Sequence, residues 1–241
     1  MTLATILLEG MPGELLPYQV HSDGMITTVM FFSFILVSLV FSRNQKYLYQ
    51  GFKNFIQNRE RNSLFDEVTA ADARHTLLLL FNTCVILGLC AYYYSSQIYP
   101  TLFAGVPHSL LLGGFICIVV LFIFIKWITY SFINWIFFQK VRNILWMTSF
   151  FNLLIWLGLL LLPVVLVSIY FDISSPKSLI GVGSLLIFAK ISLFWKCFCN
   201  FFEKIHGALH LILYFCALEI LPDLILWKGI EIISNILTLK L

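Results

Sequence analysis

Charged residues are scarce in this chain: Asp, Glu, Lys and Arg together make up only 11% of its 241 residues, while 60% are apolar. Soluble domains are about one quarter charged, so an ordinary soluble domain is excluded by composition. The formal net charge of +3 is too small for a protein that binds nucleic acid, so no nucleic acid is predicted among its partners. The composition predicts instead an all-α, polytopic membrane helix bundle, a single membrane domain whose solvent is the lipid bilayer.

Motifs of the common membrane enzymes are also missing. The sequence contains no Gly-x-Ser-x-Gly elbow, no His-Glu-x-x-His pair and no glycine-rich loop for phosphate. Its six cysteines lie mostly in apolar runs, and Cys197 and Cys199 are separated by one residue, which is not a metal-ligand spacing. We therefore predict no catalytic residue, no metal and no cofactor. These absences favour a protein that is not an enzyme.

The sequence does contain long apolar runs. A helix that crosses the hydrocarbon core needs about 20 consecutive apolar residues. Six runs meet this requirement, at residues 25–41, 75–95, 108–125, 146–170, 178–195 and 206–227. Pro163 lies inside the fourth run and predicts a kink, because proline removes one backbone hydrogen bond. An aromatic stretch containing Lys126 follows the third run, so we expect a bend near Lys126 or an extension along the cytoplasmic surface. No basic segment precedes the first run, so no cleavable signal peptide is predicted.

The loop at residues 42–74 is the longest polar segment, and apolar residues recur in it at helical spacing among basic and amide residues. This pattern predicts an amphipathic interfacial helix, which either ties the spans together or docks a partner. Basic residues concentrate in cytoplasmic loops and so report orientation. With the N-terminus outside, twelve basic residues are cytoplasmic and three are not, which predicts both termini outside. The twelve are Arg43, Lys46, Lys53, Arg59, Arg61, Arg74, Lys126, Lys140, Arg142, Lys190, Lys196 and Lys204.

Ionisable residues occur inside the sixth apolar run. Glu219 lies near the predicted middle of the bilayer, where an ionised carboxylate costs at least ~2.5–3.5 kcal/mol, so it must be paired or protonated. Asp223 shares its helix face, and Pro222 between them predicts an irregular helix. Lys190 lies midway along the fifth run, which should pack antiparallel to the sixth. We predict an intramembrane polar site of Glu219, Pro222, Asp223 and Lys190, acting either as a structural ion pair or as a proton- or ion-responsive carboxylate.

A second polar stripe precedes this site. Glu203, His206, His210 and Tyr214 are spaced by three, four and four residues, which places them on one helix face. Glu-x-x-His is half of a di-iron motif, but the sequence supplies no second half. The spacing therefore favours histidines satisfied by neighbouring helices over a metal site.

Four stretches resemble a known family. The run from Tyr214 to Pro222 (Tyr-Phe-Cys-Ala-Leu-Glu-Ile-Leu-Pro) resembles the C-terminal signature of a DUF4271-like family of integral inner-membrane proteins of Bacteroidota, whose function is unknown. Residues 52–61, 74–79 and 157–163 are similar to the same family in the same order. The resemblance implies an inner-membrane location and marks Glu219 with Pro222, but it implies no activity. Asp223 departs from the apolar residue expected after that proline.

Three interpretations of function follow. The favoured one is a non-enzymatic subunit or assembly factor of a cell-envelope complex, whose partners are the lipid bilayer and other envelope membrane proteins. The alternative is a small proton-coupled transporter that uses Glu219, with Pro163 and Pro222 as hinges. A weaker alternative is an intramembrane enzyme that acts on a lipid through His206, His210 and Glu219.

Overall fold

The computed structural model describes residues 20–57, 70–99, 103, 106–137, 140–171, 175–201 and 215–240. A short 3₁₀ turn at Val20–Ser22 precedes the first helix, and a π-helical segment at Cys216–Ile220 leads into the last. The helices are α1 (Gly24–Gln57), α2 (Ala70–Ile98), α3 (His108–Phe137), α4 (Lys140–Tyr170), α5 (Ser175–Phe201) and α6 (Leu221–Lys240). All regular structure in these ranges is helical, so the prediction of an all-α membrane helix bundle is confirmed.

Five of these helices carry a segment that is long and apolar enough to cross a membrane. The segments are Gly24–Arg43, Arg74–Ile98, His108–Ile136, Trp146–Tyr170 and Pro176–Phe198. They contain the first five predicted spans. The sixth span stays a prediction, because residues 206–214 lie outside the described residues. Its remaining part is helical and comprises the π segment and the start of α6.

The third span is longer than its sequence predicts. Helix α3 continues past Ile125 and through Lys126, and its apolar segment reaches Ile136. At 1.5 Å per residue this helix of 30 residues is about 45 Å long, more than the ~30 Å hydrocarbon core. The span does not end at Lys126 because that side chain is buried among neighbouring helices and needs no water.

Helix α1 is the other long helix, with 34 residues in one uninterrupted element. The first part of the predicted loop at residues 42–74 is therefore a continuation of the first span as far as Gln57. The predicted amphipathic helix is confirmed as helix to that residue, and residues 58–69 lie outside the described residues. Its location in the headgroup region stays a prediction.

Helices α2 and α4 form the centre of the bundle. Helix α2 packs extensively on α4 and α3, while α4 packs on α5, and α1 lies against α2. One apolar core surrounds Leu89, and a second surrounds Trp146. Helices α1, α3 and α5 turn large apolar side chains outward, among them Phe32, Phe132 and Ile187. This exposure fits a bilayer, since lipid tails are as apolar as leucine.

Glycines allow two of the closest helix contacts. A Cβ atom on Gly158 of α4 would lie 2.2 Å from the Thr83 hydroxyl of α2, and one on Gly88 of α2 would lie 2.6 Å from Ile116 of α3. Real Cβ atoms do not approach other atoms so closely. By contrast, nothing lies within 4 Å of a Cβ on Gly183 of α5. The central packing of α2 therefore depends on glycine at two positions.

We predict that Gly158→Ala lowers the thermal unfolding midpoint of the detergent-solubilised protein. The added methyl group must displace Thr83, and overpacking of this kind costs about 1–3 kcal/mol. The matched control is Gly183→Ala, which meets nothing and gains up to about 1 kcal/mol of helix propensity, so its midpoint should stay level or rise. Equal midpoints for the two variants would contradict this account of the α2–α4 contact.

Candidate functional site

Three separate parts of the chain contribute charged side chains to one site. Helix α3 carries Lys126 and Tyr130, which are four residues apart and therefore lie on one face. Helix α5 carries Lys190, the π segment carries Glu219, and the first turn of α6 carries Asp223. We call these five residues the ion cluster.

The Glu219 carboxylate is the centre of the ion cluster. One of its oxygens accepts a hydrogen bond of 2.7 Å from Lys126 Nζ and another from Lys190, while the second oxygen accepts from the Tyr130 hydroxyl. Asp223 lies 2.9 Å from Lys126 Nζ and 2.6 Å from Lys190 Nζ. Each lysine thus contacts both carboxylates. With all four groups ionised, the ion cluster carries no net charge.

The ion cluster has an enclosed side and an open side. The side chains of Lys126 and Glu219 are 6% and 1% exposed, and Tyr130 is equally buried. Lys190 and Asp223 are each 37% exposed, so their ion pair reaches the surface. We call this pair the rim.

The ion cluster lies deep within the predicted membrane spans. Lys126 is ten residues before the end of the third span, at Ile136, and Lys190 is eight residues before the end of the fifth, at Phe198. At 1.5 Å per residue these positions are about 15 Å and 12 Å from the span ends, close to the middle of a ~30 Å core. We therefore predict that the rim lies at hydrocarbon depth.

Pro222 determines the local path of the chain at Glu219. A proline has no N–H to donate to the carbonyl four residues earlier, here that of Leu218, and its ring collides with that carbonyl. The chain responds with the π-helical turn at Cys216–Ile220, in which the N–H of Leu221 donates to the Cys216 carbonyl five residues back. Leu218 and Glu219 both face the bundle from this wider turn. The irregular helix that the proline predicts is thus present.

Aromatic rings surround the enclosed side. The Tyr130 ring lies 5.5 Å from that of Trp146 and 5.3 Å from that of Phe150, measured between centroids. Lys126 Nζ lies 5.1 Å from the centroid of the Phe122 ring, a cation–π contact. These rings keep water away from Glu219, and charge interactions are stronger where water is excluded. Any unbalanced charge here is correspondingly costly.

The structure brings together the intramembrane residues that the sequence singles out. Lys190, Glu219 and Asp223 are in contact, and Pro222 acts on them through the backbone. The second polar stripe, with Glu203, His206, His210 and Tyr214, lies outside the described residues. In the ranges that the structure does describe, no three His, Cys, Asp or Glu side chains group as metal ligands would.

Sequence reasoning missed Lys126 and Tyr130 as members of the site. Because Lys126 directly follows an apolar run, the sequence predicts it on the cytoplasmic side, yet its side chain is buried. The signal was a spacing of four: Lys126, Tyr130 and Asn134 are all buried along one face of α3, and Asn134 donates to Asn143 of α4 at 3.2 Å. Without Lys126 and Lys190, ten basic residues lie on the predicted cytoplasmic side and three on the other, so the predicted orientation is unchanged.

We predict strong coupling between Lys126 and Glu219. Removing one member of a buried ion pair leaves an uncompensated charge and costs about 3–5 kcal/mol. Lys126→Met or Glu219→Gln alone should therefore lower the thermal unfolding midpoint strongly. The double variant retains a balanced pair, Lys190 with Asp223. Its unfolding midpoint should therefore fall by much less than the sum of the decreases in the two single variants.

The exposed pair Lys228–Glu231, 2.8 Å apart, is the matched control. Lys228→Met, Glu231→Gln and their combination should leave the midpoint unchanged, since exposed ion pairs contribute little. Additive effects at Lys126 and Glu219 would show that their contact does not stabilise the fold.

Comparison with known proteins identifies a family for this chain. The sequence model described as "Domain of unknown function (DUF4271)" matches residues 26–230, from the first span through the whole ion cluster. No curated protein and no solved structure matches the chain. Since the match covers most of its length, the chain belongs to the DUF4271 family, a family of unknown function.

Proposed function

We propose that this protein is a non-enzymatic integral membrane subunit or assembly factor of a cell-envelope complex. The observation that carries the proposal is the rim, an ion pair exposed at hydrocarbon depth. A charged side chain at the middle of a helix costs about 2.5–3.5 kcal/mol on insertion scales when lipid surrounds it. Another membrane protein that covers the rim would remove this cost, and polar groups exposed to lipid favour such an association.

The surface around the rim supports docking of a membrane partner. Residues one turn from Lys190 and Asp223 on the same helix faces include Ile187, Ile220 and Trp227, all of which are exposed. Among the described elements, α6 packs extensively only on the π segment that precedes it. Its outward side chains, Leu224 and Ile225 among them, are therefore available to a second apolar helix.

The proposed location is the cytoplasmic (inner) membrane, with both termini outside. The excess of basic residues on one side of the spans supports this orientation. The inner membrane and an origin in Bacteroidota follow from the family resemblance.

The test is a mild-detergent pull-down of the tagged protein from its native membrane, read by quantitative mass spectrometry. Wild-type protein should recover a partner at fixed stoichiometry. The double variant Lys190→Met, Asp223→Asn removes one positive and one negative charge, so the rim is lost while the net charge is unchanged. Lys126 stays balanced by Glu219. This double variant should remain folded and should recover the partner at least tenfold less well. The control is the double variant Lys228→Met, Glu231→Gln at the exposed ion pair, and it should recover the partner fully.

Two results would contradict the proposal. Folded wild-type protein that recovers no partner would remove the subunit interpretation. Partner recovery that is equal for wild type and the rim variant would show that the partner does not cover the rim.

A second candidate function is proton-coupled transport by Glu219, and the buried polar face of α3 favours it. Tyr130 donates to Glu219, and Asn134, one turn closer to the cytoplasmic end of the span, contacts α4. Intramembrane carboxyl groups mark proton paths in pumps and transporters, and this line of buried polar side chains leads from Glu219 along α3 toward the end of the span.

We expect a transporter to show pH-dependent flux in proteoliposomes that the double variant Lys126→Met, Glu219→Gln abolishes, since this variant loses the carboxylate but keeps the balanced pair of Lys190 with Asp223 and so stays folded. The measurement is solute uptake driven by an imposed pH gradient, with the double variant Lys228→Met, Glu231→Gln as the control for reconstitution. Flux that survives in Lys126→Met, Glu219→Gln would exclude Glu219 as the coupling group.

A further inference from the structure

The chemistry of the rim specifies the partner more closely, on the assumption that the proposed function holds. We propose that the partner contributes an apolar transmembrane helix with a carboxamide side chain, Asn or Gln, at the depth of Lys190 and Asp223. Three properties of the rim lead to this assignment: its charge balance, its remaining hydrogen-bonding capacity and its surroundings.

Charge balance argues against a charged side chain on the partner. Lys126 and Lys190 are matched by Glu219 and Asp223, all in mutual contact. An additional carboxylate or ammonium group would bring an uncompensated charge to the middle of the bilayer. Such a charge is strongly unfavourable there, so the partner group is neutral.

The rim offers both a donor and an acceptor. A lysine ammonium group has three N–H donors, and Lys190 uses two of them on Glu219 and Asp223. Each carboxylate oxygen can accept two hydrogen bonds, and those of Asp223 each face one lysine. The matching side chain therefore accepts from Lys190 and donates to Asp223.

A carboxamide meets both requirements at once. Its carbonyl oxygen and amide nitrogen are attached to the same carbon atom, and Lys190 Nζ and Asp223 Oδ2 are 2.6 Å apart, so one carboxamide can reach both. A Ser or Thr hydroxyl is a weaker match, because within a helix it donates its hydrogen bond to the backbone carbonyl of the residue four positions earlier. Thr129 and Ser168 do this in the present structure.

The surroundings require the rest of the partner helix to be apolar. Ile187, Ile220 and Leu224 flank the rim and are exposed. A soluble peptide or a polar loop would leave these side chains against water. A transmembrane helix covers them and presents its one polar group at the correct depth.

The test uses full-length protein in liposomes and synthetic helices of about 20 leucines that differ only at the central residue, which lies at mid-depth in either orientation. Association is measured by fluorescence energy transfer between labelled protein and labelled peptide. The helix with a central Asn should bind about tenfold more tightly than the all-Leu helix. This preference should disappear with Lys190→Met, Asp223→Asn and persist with Lys228→Met, Glu231→Gln.

Three outcomes would overturn the assignment. The all-Leu helix binding as well as the Asn helix would show that the contact is apolar only. Tighter binding by helices with a central Asp or Lys would show that the rim accepts charge. Energy transfer between two labelled copies of the protein, lost in the rim variant, would make a second copy the occupant.

The failure of this assignment is distinguishable from failure of the proposed function. A stoichiometric partner that depends on the rim but has no Asn or Gln at mid-membrane depth overturns the carboxamide and leaves the subunit function standing. The absence of any stoichiometric partner overturns the subunit function itself, whatever the synthetic helices show.

Discussion

The requirement for charge balance in a medium without water governs this structure. Glu219 is nearly completely buried at the depth of the hydrocarbon core, and it is stable there because Lys126, Lys190 and Tyr130 all contact its carboxylate. Charge balance also explains why Asp223 lies where it does, since two lysines need two carboxylates. The ion cluster therefore joins α3, α5 and the C-terminal segment. Removing any one charged member alone would leave an uncompensated charge on the others and destabilise the fold.

The joint is unusual because α6 has little other support among the described elements. Apolar side chains hold α2 and α4 together through close packing. The last helix is instead held by Asp223 in its first turn and through the segment before it, in which Glu219 binds the two lysines and Phe215 contacts the ring of Phe194. In lipid, an apolar face of a helix gains little from leaving the solvent. Polar contacts are therefore the natural means of fixing a terminal helix to a membrane bundle.

Much of this arrangement could be predicted from the sequence, and the exceptions have physical causes. Hydropathy predicts six membrane spans, and the first five coincide with long apolar helices, because burial in lipid depends on composition over about 20 residues. Hydropathy also identifies Glu219 as a candidate site residue, because an ionisable carboxylate inside an apolar run must be paired or protonated. The sequence predicts a bend or a surface extension at Lys126, because a lysine after an apolar run ordinarily flanks a span. Its burial depends on which face of α3 meets the C-terminal segment, and this is a property of packing rather than of local composition.

The π-helical turn makes the length of the chain near Glu219 as important as its chemistry. The wide turn carries one residue more than a regular helical path, and each residue rotates an α-helix by about 100°. Glu219 lies inside this wide turn and Asp223 follows it, so the angle between their side chains differs from that on a continuous α-helix, and Pro222 maintains this offset. Insertion or deletion of one residue would rotate one acidic group away from the lysines while leaving the apolar content unaltered. The number of residues between Glu219 and Asp223 therefore matters as much as their charges, because both carboxylates must reach the same two lysines.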